Sequence, residues 1–447
     1  MMNRILSFFV VSMSLAAAAG AQDLIHSAPP QTRPIGVRNA TIHTVSHGVI
    51  ERGVVWFMGG QILAVLPEGA DMAWSDIDPI DIDAEGLHIY PGMIVANTLT
   101  GLVEINAVNA TRDFAETGDV TPEVRAAPAI NPDSTIIPVT RSAGILTAGV
   151  FPSSGVIPGR ASVIRMDGWT WEDMTISDNA GLVINWPVVR PVTAWWMQRS
   201  EEEQLEEAKQ NLAKIEDAFR SAEAYFEARK ADAGVRESIR WEAMRPAIEG
   251  SSPVFIRAQE LEQIQSAVSW ASGRGLKTVI VGGRDAHLCL DLLKRHDVAV
   301  MVTGTHSLPR RRDSHYDEPF RLPAVLEEAG VRWCMASGGG AFQAPHERNM
   351  LHQTATAVAH GLDMDVAIRS LTLSAAELLG VSDSIGSIER GKQATFIITD
   401  GNPLDIRTNV EMAFIDGRMI DLANKQSKLS EKYREKYRQL GLIEEER

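Results

Sequence analysis

The chain has 447 residues, 45% of them apolar, only two cysteines, and a formal net charge of -15. That length suits one large domain with a smaller appendage, and the apolar content excludes a disordered or fibrous chain. Two thiols cannot build the disulfide framework of small secreted domains. The acidic balance argues against nucleic acid or anionic lipid as main partner, because such binding depends on Lys and Arg neutralising phosphate.

In chain order, Asn3-Arg4, the apolar run Ile5 to Ala18 and the small-x-small Ala19-Gly20-Ala21 read as a signal peptide over residues 1–21, cleaved near Ala21. The expected location is periplasmic or secreted. The run is shorter than the roughly 20 residues needed to span a bilayer, and no second stretch of that length follows, so no membrane span is expected once the signal is removed. Gly36 to Leu66 and Gly386 to Ile420 carry short β-branched runs broken by glycine turns. These two flanks predict a small β-sandwich built from both chain ends, residues 22–88 and 385–424.

Between them, residues 89–384 alternate short apolar strands with helical stretches, the rhythm of parallel sheet with crossover helices. The expected strands are Gly92 to Thr98, Ile145 to Phe151, Ala161 to Met166, Leu182 to Trp186, Val254 to Ala258, Thr278 to Gly282, Val298 to Thr303 and Val331 to Ala336. Eight such strands predict an α/β fold, a TIM-like (β/α)8 barrel, with chemistry at the strand C-termini. A helical insertion fills 200–250. In it Leu205, Ala208, Leu212, Ile215, Phe219, Ala222 and Phe226 recur at three- and four-residue steps, predicting an amphipathic helix from Glu201 to Arg229. That stripe packs on the barrel wall, on a helix around Ile239 to Met244, or on a second protein. Trp186, Trp195 and Trp196 read as core and loop anchors, and residues 425–447 as a charged surface helix.

Several blocks then carry a family resemblance: "IDAEGLHIYPGMIVANTLTGL" and "LTLSAAELLGVSDSIGSIERGKQATFIITDGNPL". Together they resemble the amidohydrolase superfamily, in particular its imidazolonepropionase-like and related exported branches, over nearly the whole mature chain. The resemblance implies the same barrel and sandwich, hydrolysis of non-peptide carbon-nitrogen bonds, and zinc or another divalent metal held by a Pro-Gly-x-x-Asp-x-His-x-His pattern. Here that frame begins at Pro91-Gly92 and puts Val95 at the Asp, Asn97 at the first His and Leu99 at the second. Arg257 stands where the fifth strand usually carries His, Gly282 and Gly283 where the sixth does, and Ser337 near the usual catalytic Asp. A guanidinium repels a divalent cation, and a neutral amide replaces imidazole poorly at a zinc site, so no metal or other cofactor is expected.

What remains at the predicted mouth is polar but not metal-binding. Asn97, Arg257 and Ser337 are candidate ligand-binding residues, joined by Arg310, Arg311 and Tyr316 from the loop "THSLPRRRDSHYDEPF", where an arginine cluster suits forked binding of a carboxylate. The competing reading is that these arginines tie down neighbouring acidic loops. His306 with Asp313 as orienter is the candidate acid-base pair. After the first strand, Glu104, Arg112, Asp113, Glu116 and Arg125 form a polar loop, read either as a functional lid or as Arg112 or Arg125 neutralising Asp113 or Glu116. Two functions follow. One is a catalytically altered or inactive family member that binds a small anionic or amide ligand, or pairs as a homo-oligomer or with a related amidohydrolase. The other is an active hydrolase of N-acyl amino acids, dipeptides or cyclic amides that uses other or partner-supplied residues.

Overall fold

Glycine turns and β-branched runs produce five strands at the start of the chain: β1 (Ile35–His43), β2 (Val49–Met58), β3 (Gln61–Leu66), β4 (Ile80–Asp83) and β5 (His88–Pro91). The computed structural model describes residues 26–74, 78–193 and 197–443; the proposed signal peptide, Trp195 and Trp196 lie outside the described residues. Gly59 and Gly60, both at positive φ, close the β2–β3 hairpin, a backbone form that glycine adopts at no steric cost.

Eight strands follow: β6 (Met93–Thr98), β7 (Ile145–Val150), β8 (Gly159–Arg165), β9 (Thr175–Asn185), β10 (Val254–Ala258), β11 (Thr278–Gly282), β12 (Ala299–Val302) and β13 (Trp333–Met335). They form one sheet in sequence order. The Ser337 N–H donates to Ala96 O across 2.9 Å, bringing the last strand against the first. The barrel is therefore the expected one, with one correction. β8 runs antiparallel to both β7 and β9. Only residues 151–158 and 166–174 connect these three strands, too few for the dozen or more residues that a parallel crossover needs.

The period of two divides each strand between two cores. Ile94, Val163, Val183, Phe255, Met301 and Cys334 fill the barrel interior, while Val95, Ile164, Ile184 and Ile256 meet the outer helices. Leu379, following the Leu373–Leu378 helix, enters the interior so closely that a Cβ on Gly149 would lie 2.9 Å from it. The two thiols, Cys289 and Cys334, are both free and buried.

Beyond the barrel, β14 (Phe396–Thr399), β15 (Val410–Ile415) and β16 (Arg418–Met419) join the first sheet, in the order β16-β15-β14-β5-β1-β2-β3 with β4 beside β1. Phe57 from one chain end packs edge-on against Phe396 and Phe414 from the other, at 5.3 and 5.1 Å between ring centroids. Arg418 on β16 and Arg141 beneath the barrel wall share the buried Asp167 carboxylate, at 3.1 and 2.9 Å.

The insertion is a 31-residue helix, Glu201–Ala231, started by a capping box between Ser200 and Glu203. It packs on the barrel wall: Phe219 meets Trp270 edge-on at 4.9 Å and the Arg274 guanidinium reaches Glu216. Its buried face carries Gln204, Ile215, Ala218, Phe219 and Ala222, and Leu205 and Leu212 are exposed. The apolar stripe read from sequence thus holds in the second half of the helix and rotates away in the first. A separate unit at the chain end contains the helix Lys425–Gln439, whose Asn424 side chain accepts from the backbone N–H groups of Gln426 and Ser427. No described helix is long and apolar enough to cross a membrane.

Candidate functional site: the barrel mouth

At the C-terminal ends of β6, β9, β10 and β13, the side chains of Asn97, Asn185 and Arg257 converge with the backbone carbonyl of Ser337. Asn97 sits at a bulge in β6, with φ of 56°, a left-handed conformation that Asn tolerates better than most residues. Its amide donates from Nδ2 to Ser337 O at 2.9 Å and accepts at Oδ1 from Arg257 Nη2 at 3.0 Å. Gly339, at φ of 66°, passes so close that a Cβ there would lie 2.5 Å from Asn97 Nδ2. The glycine run after β13 is thereby explained by close approach to this amide.

Arg257 lies on the inward face of β10, between Ile256 and Ala258, which face the outer core. Its Nη1 donates to Pro152 O and to Asn185 Oδ1, each at 3.1 Å, and Asn185 Nδ2 is held by Gly155 O at 2.8 Å. These contacts satisfy three of the five N–H groups a guanidinium carries. Among the described residues no carboxylate lies within ion-pair distance of it. Burial pushes its pKa down to about 10, which leaves it cationic at neutral pH. The result is a fixed positive charge, partly open to the mouth, with neutral partners and two donors to spare.

Ser337 begins a second cluster. Its hydroxyl donates to Glu347 Oε1 at 2.8 Å, and Thr98 Oγ1 donates to the same oxygen at 2.5 Å. Burial pushes the Glu347 carboxyl up to about 7, against the opposing effect of the two hydroxyl donors. Sequence reasoning did not single out Glu347, Asn185 or Pro152. Glu347 sits in the short 3-10 helix Ala344–Asn349 with no motif, and only folding brings it to the end of β13.

The remaining candidates are placed differently. Arg311 pairs with Asp285 and Glu318, each at 3.1 Å, so it ties acidic loops together. Arg310 and Tyr316 are exposed, and Tyr316 packs beside the His315 ring. His306 Nε2 lies 2.8 Å from Thr356 Oγ1. The expected His306–Asp313 pair is not formed, because Asp313 is a solvent-facing residue of the loop. His315 and His360 instead flank Asp317. In the loop after β6, Arg125 pairs with Asp178 at 2.6 Å and Arg112 lies over the Phe114 ring. The loop is thus tied to β9 through Asp178, and its arginines pair with neither Asp113 nor Glu116, whose carboxylate instead accepts from the Thr117 N–H.

The donor set does not fit a divalent metal. Among the described residues, no group of three or more His, Cys, Asp or Glu side chains comes together to hold one. Leu99 belongs to the outer hydrophobic core. Gly282 and Gly283 sit at φ of 115° and 61°, and a Cβ there would meet the Gln259 side chain at 2.2 Å or Val300 at 2.5 Å, so a histidine at either position is strained. His43 and His88 lie 3.1 Å apart in the sheet made by the chain ends.

Comparison with known proteins agrees with this architecture. The amidohydrolase family profile matches residues 278–421. Amidohydrolase tasK of Hapsidospora irregularis is 22% identical over 397 residues, 83% of this chain and 39% of that protein. A 5-methylthioadenosine/S-adenosylhomocysteine deaminase of Saccharophagus degradans is 32% identical over 168 residues, 34% of this chain and 38% of its own. The chain spans under two fifths of the length of these curated relatives. Among solved structures, an amidohydrolase from Thermotoga maritima superposes with a TM-score of 0.73 at 23% identity, covering 87% of this chain and 99% of that one. The barrel, the sheet of joined chain ends and these matches agree, and together they support a place for this chain in the amidohydrolase superfamily.

Proposed function

We propose that this protein is an exported amidohydrolase-related binding protein in which the barrel mouth holds a small carboxylate on Arg257 in place of a metal. The observation that carries the reading is the charge balance at that residue: a cation inside the barrel mouth with only neutral hydrogen-bond partners. A buried charge without a counter-charge is costly, and an incoming carboxylate supplies that charge through the two unused N–H groups. Asn97 and Asn185 hold the guanidinium plane in place. Export rests on the apolar run and small-x-small sequence before Gln22.

The test is calorimetric titration of the mature chain with N-acetylglycine and with its uncharged amide. Binding of the acid alone, weakened about 30-fold by Arg257→Met, is expected, since a hydrogen bond to a charged group contributes roughly 1.5–3 kcal/mol. Equal binding of acid and amide would overturn the reading.

A second reading, hydrolysis of N-acyl amino acids, dipeptides or cyclic amides, is favoured by Glu347, whose carboxyl titrates at about 7, where a general acid-base group works best. Turnover of any such substrate that is abolished by Glu347→Gln would establish it.

A further inference from the structure

One residue away from Arg257, the 201–231 helix and residues 185–192, at the end of β9 and beyond it, line an open cavity of about 510 Å³ that the sequence did not indicate. Asn185 belongs to both places: it lines this cavity and its Oδ1 accepts from Arg257 Nη1. The walls are Val156, Trp186, Val188 and Val192 on one side and Ala208 on the helix. The cavity is a built feature. Gln204, itself buried, ties Val192 and Arg199 to the helix, accepting from the Val192 N–H at 2.9 Å and donating to Val192 O and Arg199 O, each at 3.2 Å. Arg199 is neutralised by Glu207, so the charge beside these apolar walls that lacks a counter-ion is that of Arg257. The same cavity accounts for the rotated stripe of the helix: its first turns turn Gln204, Ala208 and Asn211 toward a space, and Leu205 and Leu212 toward solvent.

We infer that the ligand is an amphipathic carboxylate, with its carboxylate on Arg257 and an apolar chain or acyl group in the cavity between Trp186 and Ala208. This rests on the carboxylate site proposed above and adds to it a selection by chain length. A volume in the usual range for small-molecule pockets, with an apolar wall of Val156, Trp186, Val188 and Val192, a polar rim that includes the Arg199–Glu207 pair, and Asn185 linking it to the Arg257 anchor, matches that ligand chemistry.

The experiment is a titration of the mature chain with straight-chain carboxylates of increasing length, acetate to decanoate, below their micellar concentrations. Affinity is expected to rise about fourfold for each added methylene, the increment for burying one such group, and to level off when the cavity is full. Ala208→Trp, a change on the cavity side of the helix that fills the space without altering the helix backbone, is expected to weaken decanoate at least tenfold and to leave acetate unchanged, whereas Arg257→Met weakens both. If chain length has no effect on affinity, or if Ala208→Trp leaves decanoate unchanged, the apolar subsite is refuted while the anion site stands. Decanoate binding that survives Arg257→Met but is lost in Ala208→Trp refutes a single ligand bridging the two. If no carboxylate binds, the proposed function itself falls.

Discussion

Arg141 and Arg257 both carry a guanidinium into the protein, and they are neutralised in opposite ways. Arg141 lies under the barrel wall, sealed against Asp167, which also takes Arg418 from the joined chain ends and a hydroxyl donor from Ser27. Burial lowers the Arg141 pKa and the charge of Asp167 raises it. That cluster finds its counter-charge within the chain and joins the barrel to the second sheet. Arg257, at the open end of the barrel, has amide and carbonyl partners only. One region has satisfied its charges internally; the other leaves a charge for something outside the chain.

The largest test breaks the sealed cluster. Asp167→Ala leaves two partly or fully buried guanidinium groups uncompensated, and such removal of one partner costs roughly 3–5 kcal/mol; chemical denaturation is expected to show a loss of that size. At the mouth the sign reverses. Arg257→Met removes a charge that has no counter-ion, so stability is expected to hold or to rise by about 1 kcal/mol, while carboxylate binding falls. A large stability loss in that variant would show that Arg257 is structural after all and would erase the contrast.

Glu347 sharpens the comparison through pH. Its folded pKa of about 7 lies above its ordinary value of 4.5, so the folded state holds the proton more tightly. The stability this contributes is fully present below pH 4.5 and is lost as pH rises toward 7. Glu347→Gln is therefore expected to flatten the fall in stability between those limits, an effect of up to about 3 kcal/mol, read from denaturation midpoints at pH 5 and pH 8. An unchanged pH profile would mean that Glu347 titrates normally. The smallest effect is expected at the outer loop. Arg311 is partly exposed and already paired, so Arg311→Ala should cost about 1 kcal/mol or less and leave carboxylate affinity unaltered.

The strands and the family resemblance were legible because they rest on local signals. Runs such as Val254 to Ala258 are apolar over a strand's length, and the blocks around Pro91-Gly92 and Gly386 to Leu404 are continuous in sequence. Asn97, Arg257 and Ser337 could be placed at the mouth because each ends a strand. Their mutual bonding could not, since it depends on a one-residue bulge at Asn97 and on barrel closure. Of the two readings of the arginine loop, Arg311 has the contacts of the one that ties acidic loops together, and the sequence could not show it because its partners, Asp285 and Glu318, meet it only in the fold. The direction of β8 was misjudged because an apolar run has the same pattern whichever way the strand lies; the length of its connections decides.

The sequence by itself determined the barrel, the joining of the chain ends and the substitution of Asn97, Leu99 and Arg257 into the metal-binding frame, because hydrophobic period, turn chemistry and residue type are local properties. Tertiary structure alone decided which charges are satisfied. Whether a guanidinium meets a carboxylate, as Arg141 does, or only neutral oxygens, as Arg257 does, depends on contacts between residues up to 160 apart in the chain. The Glu347 carboxyl and the cavity beside Asn185 are products of the same closure, since burial and enclosed volume exist only once distant segments have been brought together.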